Sequence, residues 1–296
     1  MMQSEESQPA VEPVLAEWSR RLCLRLRRDV AGALGGAYVS RYQGSGLDFA
    51  DYRAYQDGDD ARQICWPASL RTGQLLLTRH QEEREVNVIL GVDVSRSMRL
   101  EKAKIRRVAE IAGLLAYCAA WGHDPMELVL FSDRVEGRLP PRRGERQAQQ
   151  VIRDILGVSP ESPATALAGL VRLLAGGVRR RRSHIIIVSD LADRQYGAGL
   201  AALAGRHDVL VCHLGLAAEV GLPATGWLDV ADAETGVRRL VSCAAWRRDQ
   251  DRLAGEHQRQ AARVTALAGA GYVYFPPTAS PVAVLQRYFA GTRTGG

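Results

Sequence analysis

The sequence predicts an α/β fold, built as a doubly wound and mostly parallel β-sheet with helices on both faces. Two observations predict it. From Val86 onward, short apolar runs alternate with amphipathic helical segments, and continuous apolar runs are typical of parallel strands that are buried on both faces. The chain has 296 residues, of which 46% are hydrophobic and 24% charged, as in an ordinary globular protein.

Three parts are expected in chain order. Residues 1–13 are rich in Glu, Gln and Pro, which predicts a disordered tail. Residues 14–84 begin with a helix over 14–34 and continue as a turn-rich segment with a strand at 75–79. Residues 85–296 form the main domain. The first helix carries leucines on one side and arginines on the other, which fits either a solvated basic face or a lipid-binding helix.

The main domain is expected to contain five parallel strands, at residues 86–92, 128–131, 184–189, 209–214 and 272–275. The helical patterns cover residues 102–121, 147–156, 165–174, 200–203, 247–268 and 281–289. Residues 227–230 and 237–241 flank Ala233-Glu234-Thr235-Gly236, which is a hairpin signal. We expect this hairpin to add an antiparallel edge to the sheet.

Charge, hydropathy and cysteine content disfavour a nucleic-acid-binding, membrane-spanning or disulfide-bonded protein. The 39 basic and 33 acidic residues leave a net charge of +6, but no helix-turn-helix, zinc-finger or aromatic-platform pattern accompanies it, which disfavours nucleic-acid binding. No apolar run reaches the ~18 to 20 residues of a membrane helix and no secretory signal opens the chain. Five widely spaced cysteines indicate reduced thiols. The sequence therefore predicts a cytoplasmic protein without a membrane span.

Oxygen-bearing side chains follow the predicted strands at their carboxyl ends, where open parallel sheets bind ligands. Asp93, Ser95 and Ser97 share one short loop after the first strand, and Asp190 follows the strand at 184–189. Thr165 lies between them in the chain, at the start of the helix predicted over 165–174. Carboxylate and hydroxyl oxygens are the donors that a hard divalent cation such as Mg²⁺ prefers. The competing interpretation is that Ser95 or Ser97 caps a helix and Asp190 begins a turn.

The order D-x-S-x-S, then Thr, then Asp resembles the metal-ion-dependent adhesion site of von Willebrand factor A domains. The segment before it resembles the family called "domain of unknown function 58". The residues that carry this second resemblance include Asp48, Asp51, Tyr52, Arg53, Gly58, Asp59, Asp60, Arg62 and Trp66. Family members usually have Asp before this tryptophan, whereas here Cys65 precedes Trp66 and Pro67 follows it. The carboxylates of this segment lack calcium-loop spacing, which favours a salt-bridged element packed beside the main domain.

The resemblance implies a role for each site residue. Ser95, Ser97 and Thr165 would coordinate Mg²⁺ (or Mn²⁺) directly, while Asp93 and Asp190 would hold it partly through water. A partner carboxylate would complete the coordination. By resemblance, the partner is a MoxR-type AAA+ ATPase, and the pair acts like a chaperone on a client protein that the sequence does not identify. The hypothesis requires that the five side chains meet and that no lysine ammonium fills their pocket.

The alternative function is an enzyme, a Mg²⁺-dependent phosphohydrolase with Asp93 as nucleophile. Phosphatases of the haloacid dehalogenase type need a second aspartate two residues after the nucleophile, and that position is Ser95. No phosphate-binding G-x-x-x-x-G-K-[ST] loop and no G-x-S-x-G elbow is present. The sequence therefore favours a non-enzymatic binding protein.

Overall fold

A computed structural model describes residues 13–42, 51–56, 64–79, 87–95, 98, 102–159, 167–177, 183–193, 195–215, 226–231 and 238–291. Its strands are β1 (Asp51–Ala54), β2 (Leu76–Arg79), β3 (Val88–Asp93), β4 (Met126–Phe131), β5 (Val135–Arg142), β6 (His184–Ser189), β7 (Asp208–Leu214), β8 (Trp227–Ala231), β9 (Arg238–Ser242) and β10 (Gly271–Phe275). Its helices are α1 (Pro13–Asp29), α2 (Gly35–Tyr42), α3 (Trp66–Thr72), α4 (Lys102–Trp121), α5 (Glu145–Gly157), α6 (Leu167–Gly177), α7 (Gly197–Ala204), α8 (Cys243–Leu267) and α9 (Pro281–Gly291). A π-helical turn, Val30–Leu34, joins α1 to α2.

Six strands form the main sheet, in the order β10-β7-β6-β3-β4-β5. All neighbours are parallel except β4 and β5, which are antiparallel. Strands β4 and β5 lie in succession on one side of β3, whereas the next strand in the chain, β6, lies on the other side of β3. The carboxyl ends of β3 and β6 therefore lie at the point where the strand order reverses. In open α/β sheets this is the position of the ligand-binding crevice.

Alternate residues of the central strands face two separate cores. Val88, Leu90 and Val92 of β3 contribute to a core shared with α1, α4, α5 and α9, whereas Ile89 contributes to one shared with α6 and α7. This alternation follows from the two-residue period of a strand. The predicted α/β class, with a mostly parallel sheet flanked by helices, is confirmed.

The N-terminal helix supplies part of the larger core. Leu22, Leu26 and Val30 are buried, and α1 packs on α4 and α5. Gly113 of α4 permits this close approach, because a Cβ atom there would lie 2.7 Å from Leu26 Cδ1. Of the two predicted uses for this helix, the described contacts match a solvated basic face, since its apolar side is covered by protein.

The predicted location of the antiparallel edge is wrong. Strands β8 and β9 pair only with each other in the described part of the chain and form a separate two-stranded sheet, with β9 contacting α8. The antiparallel edge is β5, which contains Pro140 and Pro141. Prolines are tolerated at a sheet edge because their missing N–H groups are not needed there. The hairpin signal is local, whereas tertiary contacts decide which sheet a strand joins.

The turn-rich segment contains more regular structure than its sequence predicts. Strands β1 and β2 pair antiparallel, and α3 lies between them in the chain. Its first turn is anchored by Ser69, whose Oγ donates to the carbonyl of Cys65 at 2.9 Å and accepts the N–H of Leu76 at 2.9 Å. The predicted tail, apart from Pro13 at the start of α1, lies outside the described residues.

Candidate functional site

The candidate site lies at the carboxyl ends of β3 and β6. Asp93 is the last residue of β3, Ser95 lies two residues after it, and Asp190 comes directly after β6. All three side chains are buried. Because β3 and β6 pair directly, the structure brings these three predicted residues to one crevice. Ser97 and Thr165, the other two, lie outside the described residues.

Both carboxylate oxygens of Asp93 accept hydrogen bonds. Oδ1 accepts the backbone N–H of Ser95 at 2.9 Å, and Oδ2 accepts the hydroxyl of Ser189 at 2.7 Å. The Ser189 hydroxyl in turn accepts the N–H of Leu191 at 3.0 Å. Ser189 therefore joins the ends of β3 and β6, a role that the sequence did not reveal because serine is common at strand ends.

Two buried carboxylates share this crevice and repel each other. Burial, followed by repulsion from Asp190, raises the pKa of Asp93 to about 6, while hydrogen bonds from Ser95 and Ser189 act in the opposite direction. Buried anions require a compensating positive charge. The crevice is therefore suited to a cation.

A lysine supplies such a charge. Lys104, in the first turn of α4, places Nζ 2.7 Å from Oδ2 of Asp190. Oδ1 of Asp190 accepts the N–H of Ala192 at 3.3 Å. The requirement that no lysine ammonium reach the predicted ligands is therefore not met at Asp190. Sequence reasoning missed Lys104, although a lysine in the first turn of a helix, against the helix dipole, is an available signal.

Two histidines, His213 and His257, lie beside the backbone of Asp190. His257 Nε2 is 2.9 Å from the carbonyl oxygen of Asp190, and its ring meets that of His213 edge-on at 5.0 Å. His213 Nδ1 lies 2.7 Å from the hydroxyl of Tyr272. Burial, followed by the nearby His257, lowers the pKa of His213 to about 4. The two rings therefore pack together beside the Asp190 loop and support its backbone.

The Asp190 loop has an unusual backbone. Leu191 has a φ of +56° while its side chain is buried. A branched residue in the left-handed region is uncommon and costs of order 1–3 kcal/mol. The hydrogen bonds of Ser189 and Asp190 to this loop compensate for that strain and hold the Asp190 carboxylate in the crevice.

The residues of the second motif lie apart from this crevice in the chain. The backbone of Asp51, Tyr52 and Arg53 belongs to β1, and Trp66 begins α3 with an exposed side chain. The remaining motif residues lie outside the described part of the chain, namely Asp48, Gly58, Asp59, Asp60 and Arg62.

The described part of the chain shows neither a metal-binding cluster of His, Cys or acidic side chains nor a helix that could cross a membrane. No group of three or more His, Cys, Asp or Glu side chains there is arranged to hold a metal ion. Asp93, Ser95 and Asp190 combine only two carboxylates with a hydroxyl, so a full ligand set here depends on hydroxyl groups. No helix among those residues combines the length and apolar character needed to cross a bilayer.

Several proteins are similar to this chain. Uncharacterized proteins of Mycobacterium bovis and Mycobacterium tuberculosis are each 28% identical over 291 residues, covering 96% of this chain and 92% of the relative. An uncharacterized protein of Mycobacterium avium is 31% identical over 167 residues, covering 53% of this chain and 95% of that protein.

Two solved structures match parts of this chain. An aerotolerance-related membrane protein from Bacteroides fragilis matches with a TM-score of 0.46 and 15% identity, covering 70% of this chain and 97% of its own. The conserved hypothetical protein BatB from Bacteroides thetaiotaomicron matches with a TM-score of 0.42 and 16% identity, covering 70% and 100%.

A family model matches residues 51–260. This span begins at β1 and ends within α8, so it includes five of the six strands of the main sheet, the crevice and most of the turn-rich segment. The match covers more than half of the chain, and the chain therefore belongs to the family described as "Protein of unknown function DUF58".

Proposed function

We propose that this chain is a non-enzymatic, metal-dependent protein-binding adaptor with a von Willebrand factor A-like domain. Asp93, Ser95, Ser97, Thr165 and Asp190 would hold Mg²⁺ or Mn²⁺. When bound, the ion would supply a positively charged coordination site that a carboxylate of a partner protein can complete.

One observation carries the proposal. Asp93 and Asp190 are both buried at the carboxyl ends of adjacent parallel strands, at the point where strand order reverses. Ser189 bridges the two strand ends and so helps to hold the carboxylates in place. Lys104 would release Oδ2 of Asp190 when the ion binds there. Two preorganised carboxylates beside a hydroxyl oxygen suit a hard divalent cation better than they suit a singly charged one.

The environment of Asp93 supports a binding role over a catalytic one. Its side chain is fully buried, and both of its carboxylate oxygens accept hydrogen bonds. A nucleophilic aspartate needs an oxygen that substrate can reach, and a neighbouring acid to carry the proton. Ser95 stands where the phosphohydrolase alternative needs that acid.

The proposed partner follows from the family resemblance. A MoxR-type AAA+ ATPase would bind through an acidic residue at the metal, and the two proteins would together mature or remodel a client complex. We propose a cytoplasmic location for this activity.

A binding experiment tests the adaptor proposal. The full chain is immobilised and its association with a purified MoxR-type ATPase is measured in Mg²⁺, in Mn²⁺ and in EDTA. We expect binding in either metal and its loss in EDTA. The double variant Ser97→Ala/Asp190→Ala should abolish binding, whereas the matched control Asp249→Ala, which removes an exposed carboxylate on α8, should leave it unchanged.

Two outcomes would contradict the proposal. Association that survives both EDTA and the double variant would show that the crevice does not mediate it. Mg²⁺-dependent release of phosphate from an aryl phosphate, lost in Asp93→Asn, would instead establish the phosphohydrolase alternative.

A further inference from the structure

We propose that Lys104 is an internal competitor of the divalent cation, and that its ammonium group sets the metal affinity of the crevice by occupying Asp190. This inference rests on the proposed function, because it concerns the same carboxylate. It assigns a role to a residue that belongs to neither of the sequence motifs.

The geometry makes the two cations competitors for Asp190. Nζ of Lys104 is 2.7 Å from Oδ2, and the two side chains are only 15% and 3% exposed. The other carboxylate oxygen accepts the N–H of Ala192. A divalent ion bound at Oδ2 would compete with the ammonium for the lone pairs of that oxygen. Its charge would also repel an ammonium held a few ångströms away.

The position of Lys104 on α4 indicates that this contact compensates for an unfavourable placement. The first turn of α4 contains no acidic residue, although the positive end of a helix dipole favours acids and disfavours lysine. Asp190 provides the offsetting charge. Because a lysine ammonium is a strongly hydrated charge on a flexible four-carbon stem, it can leave the carboxylate by side-chain rotation without moving the helix.

The competition predicts different Mn²⁺ affinities for two substitutions. Lys104→Met keeps most of the length of the side chain and removes its charge, so Oδ2 of Asp190 no longer faces the ammonium. We expect Mn²⁺ to bind this variant roughly tenfold more tightly or better, because the ion no longer meets the repulsion of a positive charge a few ångströms away. Lys104→Arg retains the charge, and its Mn²⁺ affinity should stay within about threefold of the unsubstituted chain.

The experiment measures free Mn²⁺ by electron paramagnetic resonance during titration of the full chain. Arg106→Met is the matched control, because it removes a positive charge from the same helix where Arg106 lies over the Trp18 ring, 5.5 Å from its centroid. Thermal unfolding in EDTA provides a second readout. Lys104→Met should unfold at a lower temperature there, since it leaves Asp190 without the ammonium, and Mn²⁺ should restore its stability more than that of the unsubstituted chain.

The outcomes separate this inference from the proposed function. Equal Mn²⁺ affinity in the unsubstituted chain and Lys104→Met would overturn the competition while leaving the metal site standing. Binding by Lys104→Met alone would support the competition and contradict a metal-dependent function of the natural chain. No Mn²⁺ binding by any variant would overturn both. Lys104→Gln, a polar replacement, keeps the test decisive if Lys104→Met fails to fold.

Discussion

The ammonium of Lys104 and the carboxylate of Asp190 form an ion pair of 2.7 Å across the carboxyl edge of the sheet, and neither group is more than 15% exposed. The pair joins the first turn of α4 to the loop after β6. The Coulomb repulsion between Asp93 and Asp190 is thereby partly balanced within the protein. In the described structure, the positive charge in this crevice is the ammonium group of Lys104.

A double-mutant cycle should measure that pair. Removing one partner of a buried ion pair costs roughly 3–5 kcal/mol, because the other charge is left without compensation. Lys104→Met and Asp190→Asn, measured separately in EDTA, should therefore each lower the free energy of unfolding strongly. The double variant should lose much less than the sum, and chemical denaturation of the four proteins gives the coupling energy. Additive losses would show that the pair contributes no coupling.

The raised pKa of Asp93 predicts a stability change with pH. The carboxyl group titrates at about 6 in the folded protein against 3.8 as the reference value. Its contribution to stability is therefore complete below pH 3.8 and is lost as the pH rises through 6, by up to about 3 kcal/mol. Asp93→Asn carries no such charge, so its free energy of unfolding relative to the unsubstituted chain should rise between pH 4 and pH 7 in EDTA. A constant difference over this range would contradict the burial of an ionisable Asp93.

The lowered pKa of His213 predicts the opposite trend. The imidazole titrates at about 4 in the folded protein against 6.5 as the reference value. The stability it contributes is therefore complete above pH 6.5 and is lost as the pH falls toward 4. Nuclear magnetic resonance of the full chain should find the His213 ring signal unchanged between pH 7.5 and 5.5, with His213→Gln used to assign it. A midpoint near 6.5 would contradict this prediction.

The buried side of α1 predicts that the N-terminal helix is part of the folded domain. Leu26 is fully buried, so Leu26→Ala should lower the free energy of unfolding by roughly 2–5 kcal/mol. Leu24 on the same helix is 61% exposed, and Leu24→Ala should change it by less than about 0.5 kcal/mol. Equal effects of the two substitutions, measured by urea denaturation, would show that α1 does not pack as described.

Local sequence patterns were sufficient to predict the parallel strands of the main sheet and helix α4, which connects β3 to β4. The apolar runs became β3, β4, β6, β7 and β10, because a run buried on both faces has few alternatives. The helix expected over 102–121 begins and ends at those residues. Strand β5 was missed because its exposed residues and two prolines give it neither an apolar run nor alternation. Its partner β4 defines it, and that pairing is a tertiary contact.

The sequence by itself determined that this chain forms a mostly parallel sheet and that Asp93, Ser95 and Asp190 lie at strand ends. These features depend on the length and polarity of strands, which are set by consecutive residues. Only the tertiary structure decided what meets those carboxylates. Lys104 is 86 residues from Asp190 in the chain, and no spacing rule connects them. Their contact follows from the strand order that sets β3 beside β6 and the start of α4 above both, a geometry that exists only in the folded sheet.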